Sequence, residues 1–293
     1  MPESLWIPAT LIAAALQTAR NAAQRGLTES LGVAGSAWIR FLYGLPFAVL
    51  ILGSELVIRG EALPPIGAYA ALYAAFGGAG QILATMLLLA AMERRAFSVA
   101  TAMSKTEPVM VAALGFVFLN ERLSALQICA VLIATGGLLI MSPRADRRSL
   151  SGLLLGASSG LGFALASIAY RAGIMMIKSD NAPLRAIVFL VLTLSLQCAM
   201  ILIWLIAFDR PLLARLAATW RPSLAAGFFG AAASAFWFLG FALTKAANVR
   251  TLALIEVPLA QLVSQRIFRQ QVRAGEYAGM TLILAGTGLL ILL

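Results

Sequence analysis

The chain has 293 residues, of which 61% are hydrophobic and 12% charged, and its 22 Lys and Arg against 12 Asp and Glu give a net charge of +10. Soluble domains run at roughly 45–50% apolar and about 25% charged, so a water-soluble globule is excluded, and no basic cluster lies on a polar helix or arm able to track nucleic-acid phosphates. There is no histidine, and Cys129 and Cys198 sit inside apolar runs, so neither a metal site, a disulfide framework nor a cofactor is expected.

Apolar runs of about 17 to 27 residues alternate with short polar clusters, the length that about 30 Å of hydrocarbon requires. The runs are continuous rather than alternating, which predicts helices and not a β-barrel. The first, Leu5 to Ala23, follows Glu3 with no basic residue ahead of it and reads as a retained helix, not a cleaved signal. It carries Gln17, Arg20, Asn21 and Gln24 at i, i+3, i+4 and i+7, one polar face. Such a face must meet protein or water, and it marks Gln17 and Asn21 as pathway residues. Arg20 lies within two turns of the helix end, where snorkelling to the interface is an equal reading.

The second run, Val33 to Ile58, holds Glu55 near its end, and the third, Ile66 to Met92, brings Phe76, Gly77, Gly80, Gln81 and Ala84 roughly to one face. The fourth, Phe97 to Leu119, has the densest polar patch: Thr101, Ser104, Lys105, Thr106, Glu107 and Pro108. Pro108 cannot donate to the carbonyl of Ser104, which predicts a kink and an exposed acceptor. Lys105 and Glu107 point in different directions and need separate partners. The fifth run is Leu123 to Met141. The sixth, Leu150 to Met176, spaces Gly152, Gly156 and Gly160 by four, a ridge for close helix packing, beside Ser159, Phe163, Ser167, Tyr170 and Arg171. The seventh is Leu184 to Phe208. The eighth, Leu224 to Leu243, puts Ser234, Trp237 and Phe241 on one face, where an aromatic stripe is more often core or lipid-facing than a substrate wall. The ninth, Val249 to Phe268, echoes the fourth with Thr251, Glu256, Pro258, Gln261, Ser264 and Gln265, and the tenth is Tyr277 to Leu293. Glu55, Glu107 and Glu256 are the carboxylates inside the runs, because Asp146, Asp180 and Asp209 fall between them.

An offset of 150 residues aligns Gly77 with Gly227, Gly80 with Gly230, Val99 with Val249, Thr101 with Thr251, Pro108 with Pro258, Phe118 with Phe268, Gly136 with Gly286 and Leu139 with Leu289, without a gap. The expected fold is therefore an all-α membrane protein of ten transmembrane helices, arranged as two five-helix repeats, 1–143 and 144–293, around a central cavity. Five is odd, so the second repeat enters from the opposite side, as in many transporters with a midplane site. Connections after odd helices hold Arg25, Arg94, Arg95, Arg144, Arg147, Arg148, Arg210, Arg215, Arg221, Arg269 and Arg273. Those after even helices hold Arg59, Arg122, Lys178, Arg185, Lys245 and Arg250, so the count is 11 against 6. The positive-inside rule then puts both termini outside.

Glu107-Pro108 in the fourth run, Leu119-Asn120-Glu121-Arg122-Leu123-Ser124 with Gln127, and Gly136-Gly137 resemble the proline helix, turn and glycine-bearing fifth helix of the drug/metabolite transporter superfamily, specifically its ten-helix EamA-type exporters. In the second half Pro258 and Gly286 keep register, while Arg269-Gln270-Gln271-Val272 replaces the usual acidic turn. The nearest branch by appearance is the aromatic amino-acid exporters. The resemblance implies a basket of ten helices, with helices 1, 3, 4, 6, 8 and 9 lining a cavity, in a bacterial-type inner membrane. It implies a monomeric secondary transporter, not an enzyme, exporting amino acids or related metabolites. The expected pathway residues are Gln17, Asn21, Phe76, Gln81, Thr101, Lys105, Glu107, Phe163, Tyr170, Trp237 and Glu256, with Pro108 and Pro258 as hinges. An organic-cation or multidrug exporter is the alternative, and a channel a weaker one. Intramembrane proteases need His ligands, a Ser and His pair, or two Asp in the spans, and this chain has none of those sets.

Overall fold

The computed structural model describes residues 3–93, 103–141, 150–259, 261 and 274–293, and among them every regular element is helical. A helix satisfies its own N–H and C=O groups, which is what a continuous apolar segment in hydrocarbon demands. In chain order the helices are α1 (Trp6–Arg25), α2 (Thr28–Leu42), α3 (Gly44–Arg59), α4 (Ala68–Glu93), α5 (Glu107–Leu119), α6 (Ala125–Met141), α7 (Leu150–Met175), α8 (Ala182–Phe208), α9 (Arg210–Ala218), α10 (Trp220–Leu243), α11 (Ala246–Leu252) and α12 (Ala274–Ile291). Among the described residues five stretches are long and apolar enough to cross a membrane: Thr28–Arg59, Ala68–Ala90, Leu150–Met175, Ala182–Phe208 and Trp220–Leu243. Glu107–Leu119, Ala125–Met141 and Gly275–Ile291 are shorter apolar helices. Thr101, Ser264 and Gln265 lie outside the described residues, as do Arg94, Arg95, Arg144, Asp146, Arg147, Arg148, Arg269 and Arg273.

The chain divides into two compact units, Met1–Ile82 with Ala169–Leu243, and Leu83–Ile168 with Thr244–Leu293. In the first unit, the expected single helix from Val33 to Ile58 is two helices, broken at Tyr43. Pro46 has no N–H to offer the carbonyl of Leu42, so the ladder stops there. The break is used for packing: a Cβ on Gly227 of α10 would lie 2.5 Å from the Tyr43 carbonyl oxygen. Tyr43 also donates its hydroxyl to the carbonyl of Leu216, at 2.7 Å. That partner belongs to α9, in a region expected to be a loop. Asp209 caps α9 by accepting from the Leu212 N–H at 3.0 Å, Pro211 sits in its first turn, and Leu212 and Leu216 are buried. This is the start signal of a helix, carried by a segment whose arginines mark it as a connection between runs.

In the second unit, α6 and α12 meet through glycines. A Cβ on Gly137 would lie 2.6 Å from the Gly279 carbonyl oxygen, one on Gly279 would lie 2.5 Å from that of Gly137, and one on Gly286 would lie 2.6 Å from the Ala134 nitrogen. Backbone touches backbone here, as small residues permit. Around the contact Ala134, Leu138, Leu254 and Ile283 form a buried apolar cluster. The turn between α5 and α6 explains the Asn120 to Gln127 motif physically. Asn120 takes a left-handed conformation (φ 52°), and the Glu121 N–H donates to the Gly115 carbonyl at 3.0 Å, which ends α5. Ser124 and Gln127 then form a reciprocal capping box at 3.0 and 3.2 Å, which starts α6.

Both proline helices are broken rather than bent. A turn at residues 105–106 precedes α5, with Pro108 in the first turn of the new helix, and a 3-10 turn, Ala253–Ile255, separates α11 from helical residues 256–259. Pro108 has no N–H for the Ser104 carbonyl, the Met103 carbonyl accepts from Thr106, and α7 lies against both: a Cβ on Gly160 would come within 3.1 Å of the Ser104 oxygen and 3.3 Å of the Met103 oxygen. At Gly160 the absence of a side chain is what permits that approach.

Candidate functional site

In the second unit the two broken helices pair their charges crosswise. Lys105 forms an ion pair with Glu256. Glu107 pairs with Arg250, Nε to Oε1 at 3.0 Å, and these two side chains are only 13% and 16% exposed. Ser167 of α7 links them, accepting from Arg250 Nε at 2.9 Å. Its hydroxyl proton is shared between Glu107 Oε1 and the Phe163 carbonyl, each at 2.9 Å. Nearby, Ser159 donates to the Ala84 carbonyl at 2.8 Å and its hydroxyl lies 3.3 Å from that of Ser104. Each charge therefore has an opposite charge within reach, which is the condition for keeping ionised groups away from water.

Arg250 was expected in a connection; it sits in α11. Its count among the loop charges after even helices does not hold, which leaves 11 against 5. The run that continues into the 3-10 turn hid the short helix. An Arg flanked by Val249 and Thr251 in an apolar run is the available signal, but its partner Glu107 is distant in sequence.

In the first unit a polar node is walled by aromatics. Tyr170 of α7 and Gln197 of α8 are each 1% exposed. Tyr170 bonds the Gly77 carbonyl at 3.0 Å and Gln81 Oε1 at 3.2 Å, and Gln197 Nε2 donates to Gln81 Oε1 at 2.8 Å. The ring of Tyr170 stands 4.8 Å from that of Phe238 and 6.3 Å from that of Phe189. Gly77 leaves room for it, since a Cβ there would sit 2.6 Å from the Tyr170 ring. Gln197 was not singled out from the sequence: one Gln in an otherwise apolar helix forms no periodic stripe. We expect Gln197→Leu to lower thermal stability by about 1 to 3 kcal/mol, the usual effect of leaving buried polar partners unsatisfied. An unchanged melting curve of the purified protein would contradict the node's role.

Three of the four stripe residues on α1, Gln17, Arg20 and Gln24, are met by protein. Gln17 accepts from Trp237 Nε1 at 3.2 Å, Gln24 Nε2 donates to the Ser36 carbonyl at 2.5 Å, and Arg20, 7% exposed, donates to Asn21 Oδ1 at 2.8 Å. Arg20 is thus held inside and does not snorkel, while Asn21 itself is exposed. Of the remaining expected residues, Phe76 is 55% exposed and Phe163 half-buried. The structure thus gathers Lys105, Glu107 and Glu256 in one unit and Gln81 with Tyr170, and Gln17 with Trp237, in the other.

Residues 4–142 match the EamA-like transporter family. The match takes in the first half of the chain, which is similar to this family. The EamA-like match and the apolar helices together support a multi-pass membrane protein. No curated protein matches the sequence. A solved crystal structure overlays with a TM-score of 0.67 across 97% of this chain and 95% of its own, at 14% identity, which shows a shared fold alone.

Proposed function

We propose that this EamA-like protein is a secondary transporter exporting small zwitterionic metabolites, amino acids including aromatic ones foremost, by alternating access. The carrying observation is the crosswise pair of ion pairs, Lys105 with Glu256 and Glu107 with Arg250, at the two proline breaks. A zwitterion offers both charges at once: its carboxylate competes for Arg250 and Lys105, and its ammonium for Glu107 and Glu256. Exchange of partners keeps every charge paired, so binding and release avoid an orphaned ion. Trp237, Phe163 and Phe76 are the aromatic groups assigned to the pathway, with Gln17, Asn21, Gln81, Thr101 and Tyr170 as its polar groups. Ten spans, organised as inverted repeats 1–143 and 144–293, would flex at Pro108 and Pro258, with the termini outside a bacterial-type inner membrane and the monomer as the working unit.

Counterflow by the reconstituted protein, screened across amino acids and organic cations, tests the reading. Aromatic amino acids are expected to exchange faster than in protein-free vesicles; equal flux would end it. If Glu107 exchanges protons during the cycle, Glu107→Gln removes the pH dependence of transport. A pH profile identical to that of the unaltered protein takes Glu107 out of the coupling.

A further inference from the structure

Two hollows in the first unit are lined by successive stretches of the same three helices. One is an apolar cleft of about 310 Å³ between α3, α8 and α10, lined by Ile51, Ala186, Ala235, Phe236 and Leu239, with Glu55 as its charged residue. The other, of about 610 Å³, is polar and includes Arg59, Glu61, Ser179, Asp180 and Asn181. They adjoin on three sides. Glu55 and Arg59 are ion-paired one turn apart on α3, Pro183 of the cleft follows Ala182 of the polar hollow on α8, and Leu239 and Leu243 lie one turn apart on α10.

The depth of each follows from the helix ends. Arg59 is the last residue of α3, Leu243 the last of α10 and Ala182 the first of α8, so the polar hollow lies at the common end of three apolar helices. The apolar cleft begins one turn further in. An occupant of both needs a hydrocarbon tail below and a headgroup of two signs above. Arg59 offers a fork of N–H donors suited to a phosphate. Glu61 and Asp180 offer carboxylate acceptors; Glu61 Oε1 already accepts from Asn181 Nδ2 at 2.9 Å, which fixes its position. Arg59 is already matched by Glu55, and Glu61 and Asp180, the latter also within electrostatic reach of Arg185, leave the lining of the hollow net negative, which disfavours a headgroup that is only anionic. A primary ammonium carries three N–H donors for them, whereas a quaternary ammonium carries none.

We infer that this face holds one bilayer phospholipid with a primary-amine zwitterionic headgroup, its acyl chain in the apolar cleft, its phosphate on Arg59 and its ammonium on Glu61 and Asp180. The site requires only that the chain lie in a membrane and is independent of the transported substrate. A free amino acid would leave the cleft empty, so the tail is part of the recognition.

Native mass spectrometry of the full chain in detergent, with phosphatidylethanolamine, phosphatidylcholine and phosphatidylglycerol of the same acyl chains, tests this. Phosphatidylethanolamine is expected to be retained about tenfold over each of the other two, the effect of one charge-assisted contact. Ala235→Trp, which fills the cleft, is expected to lower retention of all three. The double variant Glu61→Gln with Asp180→Asn alters exposed side chains, which keeps folding out of the result, and is expected to erase the headgroup preference while leaving tail binding. Equal retention of the three lipids by the unaltered protein overturns the inference, as does an undiminished preference in the double variant.

Discussion

Arg250→Met is expected to destabilise the protein by about 3 to 5 kcal/mol, the range seen when one partner of a buried ion pair is removed and the other is left uncompensated. The carboxylate left behind is that of Glu107, at 13% exposure, with Ser167 as its remaining neighbour in the triad. The double variant Glu107→Gln with Arg250→Met removes both charges and is expected to recover most of the loss, because an apolar or neutral replacement of a whole pair is often close to neutral. Thermal unfolding of the three proteins in the same detergent reads this directly. If the double variant is as unstable as the single, packing of the long side chains outweighs the pairing. Transport separates function from stability: a stable double variant that no longer performs counterflow places the charges in the cycle.

Gly137→Val is expected to be the most damaging apolar substitution in the second unit. Ordinary overpacking costs about 1–3 kcal/mol because side chains yield. Here the added carbon would lie 2.6 Å from the Gly279 carbonyl oxygen and 2.8 Å from the Ile283 nitrogen, and backbone atoms do not yield without moving α12. The expected result is loss of the folded monomer on size-exclusion chromatography. Gly136→Val is the control, since a Cβ at Gly136 meets nothing within 4 Å. Equal damage by both would show that valine harms α6 through helix propensity and not through the contact.

The contrast between these two neighbours marks what a sequence can disclose. Gly136-Gly137 stood out as a pair, but only the placement of α12 separates the glycine in contact from the one beside it. The turn from Asn120 to Gln127 was legible because its capping chemistry is local. Pro108 announced an interruption, yet the break lies upstream at residues 105–106, where the chain had to fit Gly160 of α7. Lys105 and Glu107 were recognisable as needing separate partners; that Glu107 would find Arg250 was not, because Arg250 stood at the edge of an apolar run and passed for a loop charge. Gln197 and α9 were missed for opposite reasons, one being a lone polar group in apolar sequence and the other a short helix rich in arginine.

The seam between α6 and α12 also has a consequence for biogenesis. During synthesis α6 enters the bilayer well before α12 has been made, so its groove of Ala130, Ala134 and Gly137 first meets lipid rather than its partner. A strip of small residues in lipid is a dimerisation surface in waiting. The later arrival of α12 closes it, and chains stalled before that point are the ones expected to associate with one another.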